Sequence, residues 1–263
     1  MANRDDLLQE LGLWPRWTMR QREAAAASPP VTAMPGASPL PIAVADSAPR
    51  AVARGAPAAS DDARAARIAA LAWDDFAADV DACIACGLCR TRNRSVPGVG
   101  DTAADWLFVG EAPGADEDAR GEPFVGQAGK LLDAMLAALG LARGSNVYIA
   151  NVLKCRPPNN RTPEPLEVAA CRPYLDRQVA LIEPKVIVAL GKSAANTLLE
   201  REATIGSLRG RVHRFRGVPL VVTYHPAYLL RTLADKAKAW EDLVLARRAL
   251  RDAGGEAVAH DRG

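Results

Sequence analysis

No apolar run in this 263-residue chain reaches the roughly 20 residues needed to cross a bilayer, so no membrane association is expected. The N-terminus has Asp5, Asp6, Gln9 and Glu10 where a secretory signal would carry cations followed by an apolar stretch. A cytoplasmic location is the resulting expectation, and there thiols stay reduced. Net charge is nearly absent as well: it is +2 in total, −2 over residues 1–80 and +4 over 81–263. A mildly basic part is compatible with a polyanionic partner and does not establish one. Residues 24–65 are mostly Ala, Pro, Ser and Gly, with hardly any aromatic or β-branched side chain to offset the entropy of ordering. A disordered linker is expected over that stretch.

Ahead of the linker, in residues 1–23, Leu7, Leu8, Leu11, Leu13 and Trp14 form a short amphipathic segment that breaks at Pro15 and is followed by Trp17. It reads as a docking peptide or as a helix folding back on the domain. The pattern changes over 66–252. Short apolar runs at 106–109, 147–150, 186–190 and 220–223 end near Gly, Asn or His, as strands buried on both faces do. Helical patterns lie between and after them, at 128–139, 175–182, 193–199 and 236–250. Alternation of this kind predicts an α/β fold: three α/β/α layers around a mainly parallel sheet, with a flexible tail at 253–263. In such folds chemistry sits on the loops beyond the carboxyl ends of the strands.

The first of these loops, 110–118, reads GEAPGADED and crowds Glu111, Asp116, Glu117 and Asp118 onto a Gly- and Pro-shaped turn beside Ala112. Four buried acids would be costly, which makes at least one a candidate for function, against the alternative of an acidic surface turn. Phe124 follows in a polar, glycine-bounded loop, suited to stacking on a planar ligand or to capping the core. Asn151 ends the second run, and its amide can donate and accept at once, as reading a nucleobase edge requires; a turn-forming Asn is the plainer alternative. Histidine is scarce, three in all, and His225 ends the fourth run directly before Pro226. The run RGRVHRFR, Arg209 to Arg216, suits a phosphate backbone or a solvated strand face equally.

Five cysteines complete the list. Cys83, Cys86 and Cys89 lie within seven residues in repeated C-x2-C spacing, with Cys155 and Cys171 far downstream. In a reducing compartment such a cluster favours ligands over disulfides. Zinc and an iron–sulfur cluster both accept four thiolates, and spacing alone leaves the choice open.

Several separated segments, in this order, resemble the family 4 (iron–sulfur) uracil-DNA glycosylases, also named bacteriophage-type DNA polymerase-related proteins. GEAPGADED is similar to the family's first motif and HPAYLL (225–230) to its second, with GEPFVGQAGKLLD and NVLKCRPPNNR as connecting segments; the likeness covers about 78–250. The resemblance implies removal of uracil from single- or double-stranded DNA without strand cutting, leaving an abasic site. It implies Phe124 stacking on the flipped base, Asn151 on its edge, the backbone at Glu111 and Ala112 closing the pocket, and His225 at the uracil oxygen. Glu111 or Glu117 would position water or balance the sugar cation, and Arg209, Arg211 and Arg214 would grip the strand. It also implies a [4Fe–4S] cluster on Cys83, Cys86, Cys155 and Cys171, with Cys89 spare. A monomer is expected, and a covalent product trap at His213 is not; with such an activity, residues 7–17 would dock a replication or repair protein. The rival readings are a glycosylase of wider base tolerance and a non-catalytic iron–sulfur DNA-binding module of the replication or repair machinery.

Overall fold

A computed structural model describes residues 58–260, with side chains from 62 to 253. The amphipathic segment at 7–17 and the linker up to residue 57 lie outside the described residues.

The centre is a six-stranded sheet in the order β1-β3-β2-β4-β6-β5. Strands β2 (Trp106–Gly110), β3 (Val147–Asn151), β4 (Val186–Leu190) and β6 (Val218–Thr223) run parallel, while β1 (Val99–Gly100) and β5 (Val212–Phe215) pair antiparallel at the two edges. Every residue of β2, β3 and β4 is buried, which is why they read as unbroken apolar runs. Alternate side chains feed two cores. Leu107, Val109, Ile187, Ala189 and Val222 pack with helices α5 (Pro165–Ile182) and α6 (Lys192–Leu199). Phe108, Ile149, Val188 and Val221 pack on the opposite face with α4 (Gln127–Ala138) and α9 (Lys236–His260). The expected three-layer α/β/α fold is therefore present. A third cluster, Ile68, Phe76, Val80 and Tyr174, joins α1 (Ala58–Ala69) and α2 (Trp73–Asp81) to the outer side of α5. Short helices α3 (Ala115–Arg120), α7 (Ile205–Leu208) and α8 (Pro226–Leu229) complete the set.

Strand β3 lies on one side of β2 and β4 on the other, so the chain reverses its direction of winding at β2. That reversal opens a crevice at the carboxyl ends of the strands, where ligands of open α/β sheets bind.

Four expectations shift. The expected linker does not extend to residue 65, because α1 opens at Ala58 and carries Ile68 into the core. Helix α5 begins ten residues earlier than its apolar pattern and runs through Pro173. Proline removes one donor at a cost near 3 kcal/mol, and burial of Tyr174, Leu175, Val179 and Ile182 offsets that loss. The tail expected from 253 is helical as far as His260. The edge strands escaped the sequence pattern because β1 has two residues and β5 lies within the charged run. No described helix is long and apolar enough to cross a membrane.

Candidate active site

At the crevice, the ends of β2, β3 and β6 enclose a cleft of about 560 Å³ lined by Glu111, Ala112, Glu117, Phe124, Asn151 and His225 among others. Parallel pairing puts Gly110 opposite Asn151, so the two strand ends arrive side by side. Only glycine fits there: a Cβ on Gly110 would lie 2.3 Å from Asn151 Oδ1 and 2.7 Å from Phe124 Cζ. Asn151 is 2 % exposed, and its side-chain amide has no hydrogen-bond partner among the described residues. Phe124 holds a left-handed backbone, φ 55°. Its carbonyl rests where a Cβ on Gly129 would be (1.7 Å), and Arg143 donates to the carbonyls of both Pro123 and Phe124. Strain of this kind persists only where surroundings over-determine the conformation. The Phe124 ring lies against the His225 ring, centroids 5.5 Å apart and planes 29° off parallel, so the two form one wall.

His225 caps α8, and its Nδ1 accepts a hydrogen bond from the Ala227 backbone N–H at 3.1 Å. An accepting Nδ1 puts the proton of the neutral ring on Nε2. Burial pushes the imidazole pKa down to about 4, with the charge of Glu117 opposing and that of Arg231 assisting. The ring is thus a neutral donor at physiological pH. It sits tightly against the end of β4, where a Cβ on Gly191 (φ 95°) would come 3.0 Å from His225 Cβ.

The four acids of the first loop have separate fates. Glu117 accepts from the backbone N–H groups of Gly114 (3.1 Å), Val125 (2.9 Å) and Gly126 (3.2 Å), which ties the two loops of the cleft together. Asp118 is buried and accepts twice from Asn93, at 2.9 and 2.6 Å. Asp116 is exposed. Glu111 remains, half-buried, its carboxyl pushed above the usual range by burial while the Ser193 hydroxyl partly restores it. The Gly110 and Glu111 carbonyls accept from Val152 and Leu153 N–H, which fixes the backbone around Ala112. Glu111 and His225 also line a second, adjoining cleft of about 830 Å³ with Gly191, Lys192 and Ser193. That β4 end was missed in the sequence, although a glycine directly after an apolar run was the available signal.

Residues 97–244 match the uracil DNA glycosylase superfamily. The type-4 uracil-DNA glycosylase of Archaeoglobus fulgidus is 50 % identical over 165 residues, 60 % of this chain and 82 % of the relative. The chain belongs to this family. The type-4 enzyme of Pyrobaculum aerophilum is 45 % identical over 171 residues (62 % and 87 % of the two chains), and that of Sulfurisphaera tokodaii 47 % over 161 (58 % and 73 %).

In this type-4 glycosylase fold the basic run behaves differently from expectation. Arg209 does not reach the cleft: its guanidinium pairs with buried Asp242 at 3.0 Å, donates to Lys238 O and lies over the Tyr224 ring, pinning α9 to the sheet. Arg214, on edge strand β5, and Arg211, directly before it, are exposed and line neither cleft. His213 is engaged with Leu208 O at 2.7 Å. The cations that do line the clefts are Arg161 and Arg231 in the first and Arg172, Lys192 and Arg201 in the second.

The five cysteines of this glycosylase, all free, line one small cavity with Lys154 and Tyr174. The chain before β1 lies over the loop after β3, as a shared centre requires. Arg64 donates to Cys83 Sγ at 3.4 Å, Arg92 to Cys155 Sγ at 2.9 Å, and the Lys154 backbone N–H to Cys171 Sγ at 3.3 Å. Burial pushes the Cys171 thiol up to about 12 and the Lys154 ammonium down to about 8. Among the described residues no three Cys, His, Asp or Glu side chains meet at one ion.

Proposed function

We propose that the chain hydrolyses the N-glycosidic bond of uracil in DNA and leaves an abasic site, the first step of base excision repair. The observation that carries this reading is the convergence of Phe124, Asn151 and a neutral His225 on one cleft at the strand ends. A base turned out of the stack enters the cleft against Phe124 and meets the unpartnered Asn151 amide, whose donor and acceptor match uracil's O4 and N3–H. As the C1′–N1 bond breaks, its electron pair moves onto the base and negative charge grows on O2. His225 Nε2–H donates to that oxygen, and a donor preset at a developing anion is worth most in a dry site. The sugar is left cationic at C1′. Glu111 balances that charge and takes a proton from the attacking water, leaving a hydroxyl on C1′. Glu117 acts at one remove, as a positioning residue that holds the Gly114 turn on the Val125–Gly126 loop.

Lys192, Arg201 and Arg231 face the DNA backbone at the rims, in place of Arg209. All these residues come from one chain, which suits a monomer. Cys83, Cys86, Cys155 and Cys171 would hold a [4Fe–4S] cluster, which supplies a cross-link between the N-terminal segment and the 155–161 loop, the hydrolysis itself requiring no electron. The donor set fits. Four thiols share one cavity without converging on a single point, and a cubane takes one thiolate at each of four irons. The cavity is only about 20 Å³ as the side chains stand, so holding the cluster would require the partly exposed Cys83 and Cys86 to give way.

The reading is tested with a fluorescent oligonucleotide carrying one uracil, treated with alkali after incubation with wild type or His225→Ala. Alkali-dependent cleavage by the wild type that fades in the variant is expected. A brown, DNA-binding wild type that cleaves nothing would leave the non-catalytic module instead.

A further inference from the structure

Between the cleft and the cysteine cavity lies one buried cation. Lys154 is 1 % exposed, stands three residues after Asn151 and directly before Cys155, and lines the cysteine cavity. Its ammonium has no carboxylate partner among the described residues. It donates to the Asn151 carbonyl at 2.7 Å and to Gln178 Oε1. Gln178, equally buried, gives its amide nitrogen to Pro97 O at 2.7 Å and to Tyr148 Oη at 3.2 Å, so it is held at that end as well. The backbone of Lys154 faces the other way: its N–H donates to Cys171 Sγ at 3.3 Å and its carbonyl accepts from Val96 N–H at 2.7 Å.

A buried ammonium with neutral acceptors is costly, and a methionine of similar length would fill the space without that cost. What methionine could not do is hold the Asn151 carbonyl. Asn151 is the last residue of β3, and past this point no sheet partner fixes its carbonyl. We propose that Lys154 is a positioning residue for base recognition: it fixes the Asn151 peptide, and thereby the direction of the amide facing the cleft, while its own backbone is anchored on the cysteine centre. Assembly of that centre and readiness of the cleft are then linked through one residue.

The inference rests on the glycosylase reading and is tested in full-length, cluster-loaded protein with a double-mutant cycle of Lys154→Met and Asn151→Ala. Expected for Lys154→Met is roughly a tenfold rise in KM for the uracil oligonucleotide and in the Kd of free uracil by calorimetry, with kcat within about threefold. On the Asn151→Ala background the same change should cost less than about twofold, because residues acting as a unit are not additive. Additive effects, or an unchanged uracil Kd, would overturn the inference. If Lys154→Met does not fold, Gln178→Leu, which removes the second acceptor, is expected to show the same coupling more weakly. Uracil binding needs no turnover, so a wild type that binds uracil without cleaving DNA sinks the glycosylase reading alone, and one that cleaves with an additive cycle sinks this inference alone.

Discussion

In the cleft, the Asn151 amide and His225 Nε2 have no protein partner among the described residues, whereas in the cysteine cavity three sulfurs already have donors, from Arg64, Arg92 and the Lys154 backbone. The cleft keeps hydrogen-bonding capacity open for a ligand that comes and goes. The cavity already supplies donors to sulfurs, as the proposed resident cluster would need. Substitutions in the two regions should therefore separate in sign: in the cleft they should lower activity and spare or raise stability, and in the cavity they should lower stability first.

The largest effect is expected from His225→Ala, which removes the donor at the departing base and should lower kcat by about 100- to 1000-fold in single-turnover assays, with the melting temperature unchanged or higher. Next is Glu111→Gln, with a loss of about 100-fold. Because burial holds the Glu111 carboxyl above its ordinary range, the neutral amide relieves a charge held at a cost, and the melting temperature should rise. A drop there would erase the contrast. In the cavity, Cys155→Ala should remove the visible absorbance and lower soluble yield and melting temperature, while Cys89→Ala leaves all three in place; equal colour in both variants would break the ligand assignment.

A smaller effect distinguishes the regions by pH. The folded pKa of His225, about 4, lies below the unfolded value of 6.5, so the unfolded chain binds the extra proton between them. The contribution is complete above about pH 6.5 and is lost as pH falls toward 4, by up to about 3 kcal/mol. Urea titrations at pH 7 and 4.5 should show a steeper loss in wild type than in His225→Ala. The smallest expected change is Arg92→Met, a fall of a few degrees in melting temperature with kcat unchanged, from the lost hydrogen bonds to Cys155 Sγ and the Asp81 carbonyl.

The cleft was the more legible region, because Asn151 and His225 sit at or just past the end of an apolar run and Phe124 stands in a polar, glycine-bounded loop. Asn151, Phe124 and His225 could be singled out before any contact was known. Their partners could not. That Glu117 is consumed by three backbone N–H groups and Glu111 is not depends on how two loops approach, which spacing does not encode. Arg209 looked like its neighbours in a basic run until Asp242, 33 residues later, claimed it. The cavity was legible only as a list of cysteines. Their meeting depends on α5 continuing past Pro173 and on α1 and α2 packing against it, decisions made by burial of Tyr174 and Phe76.

The order of residues along the chain has a consequence for synthesis. By residue 151 Phe124 and Asn151 have been made, but His225, the proposed donor to the departing base, arrives only after β6, an interior strand paired with β4 and β5. A chain released from the ribosome before that point has an open sheet edge and no His225, so an incomplete translation product is expected to lack the base removal proposed above.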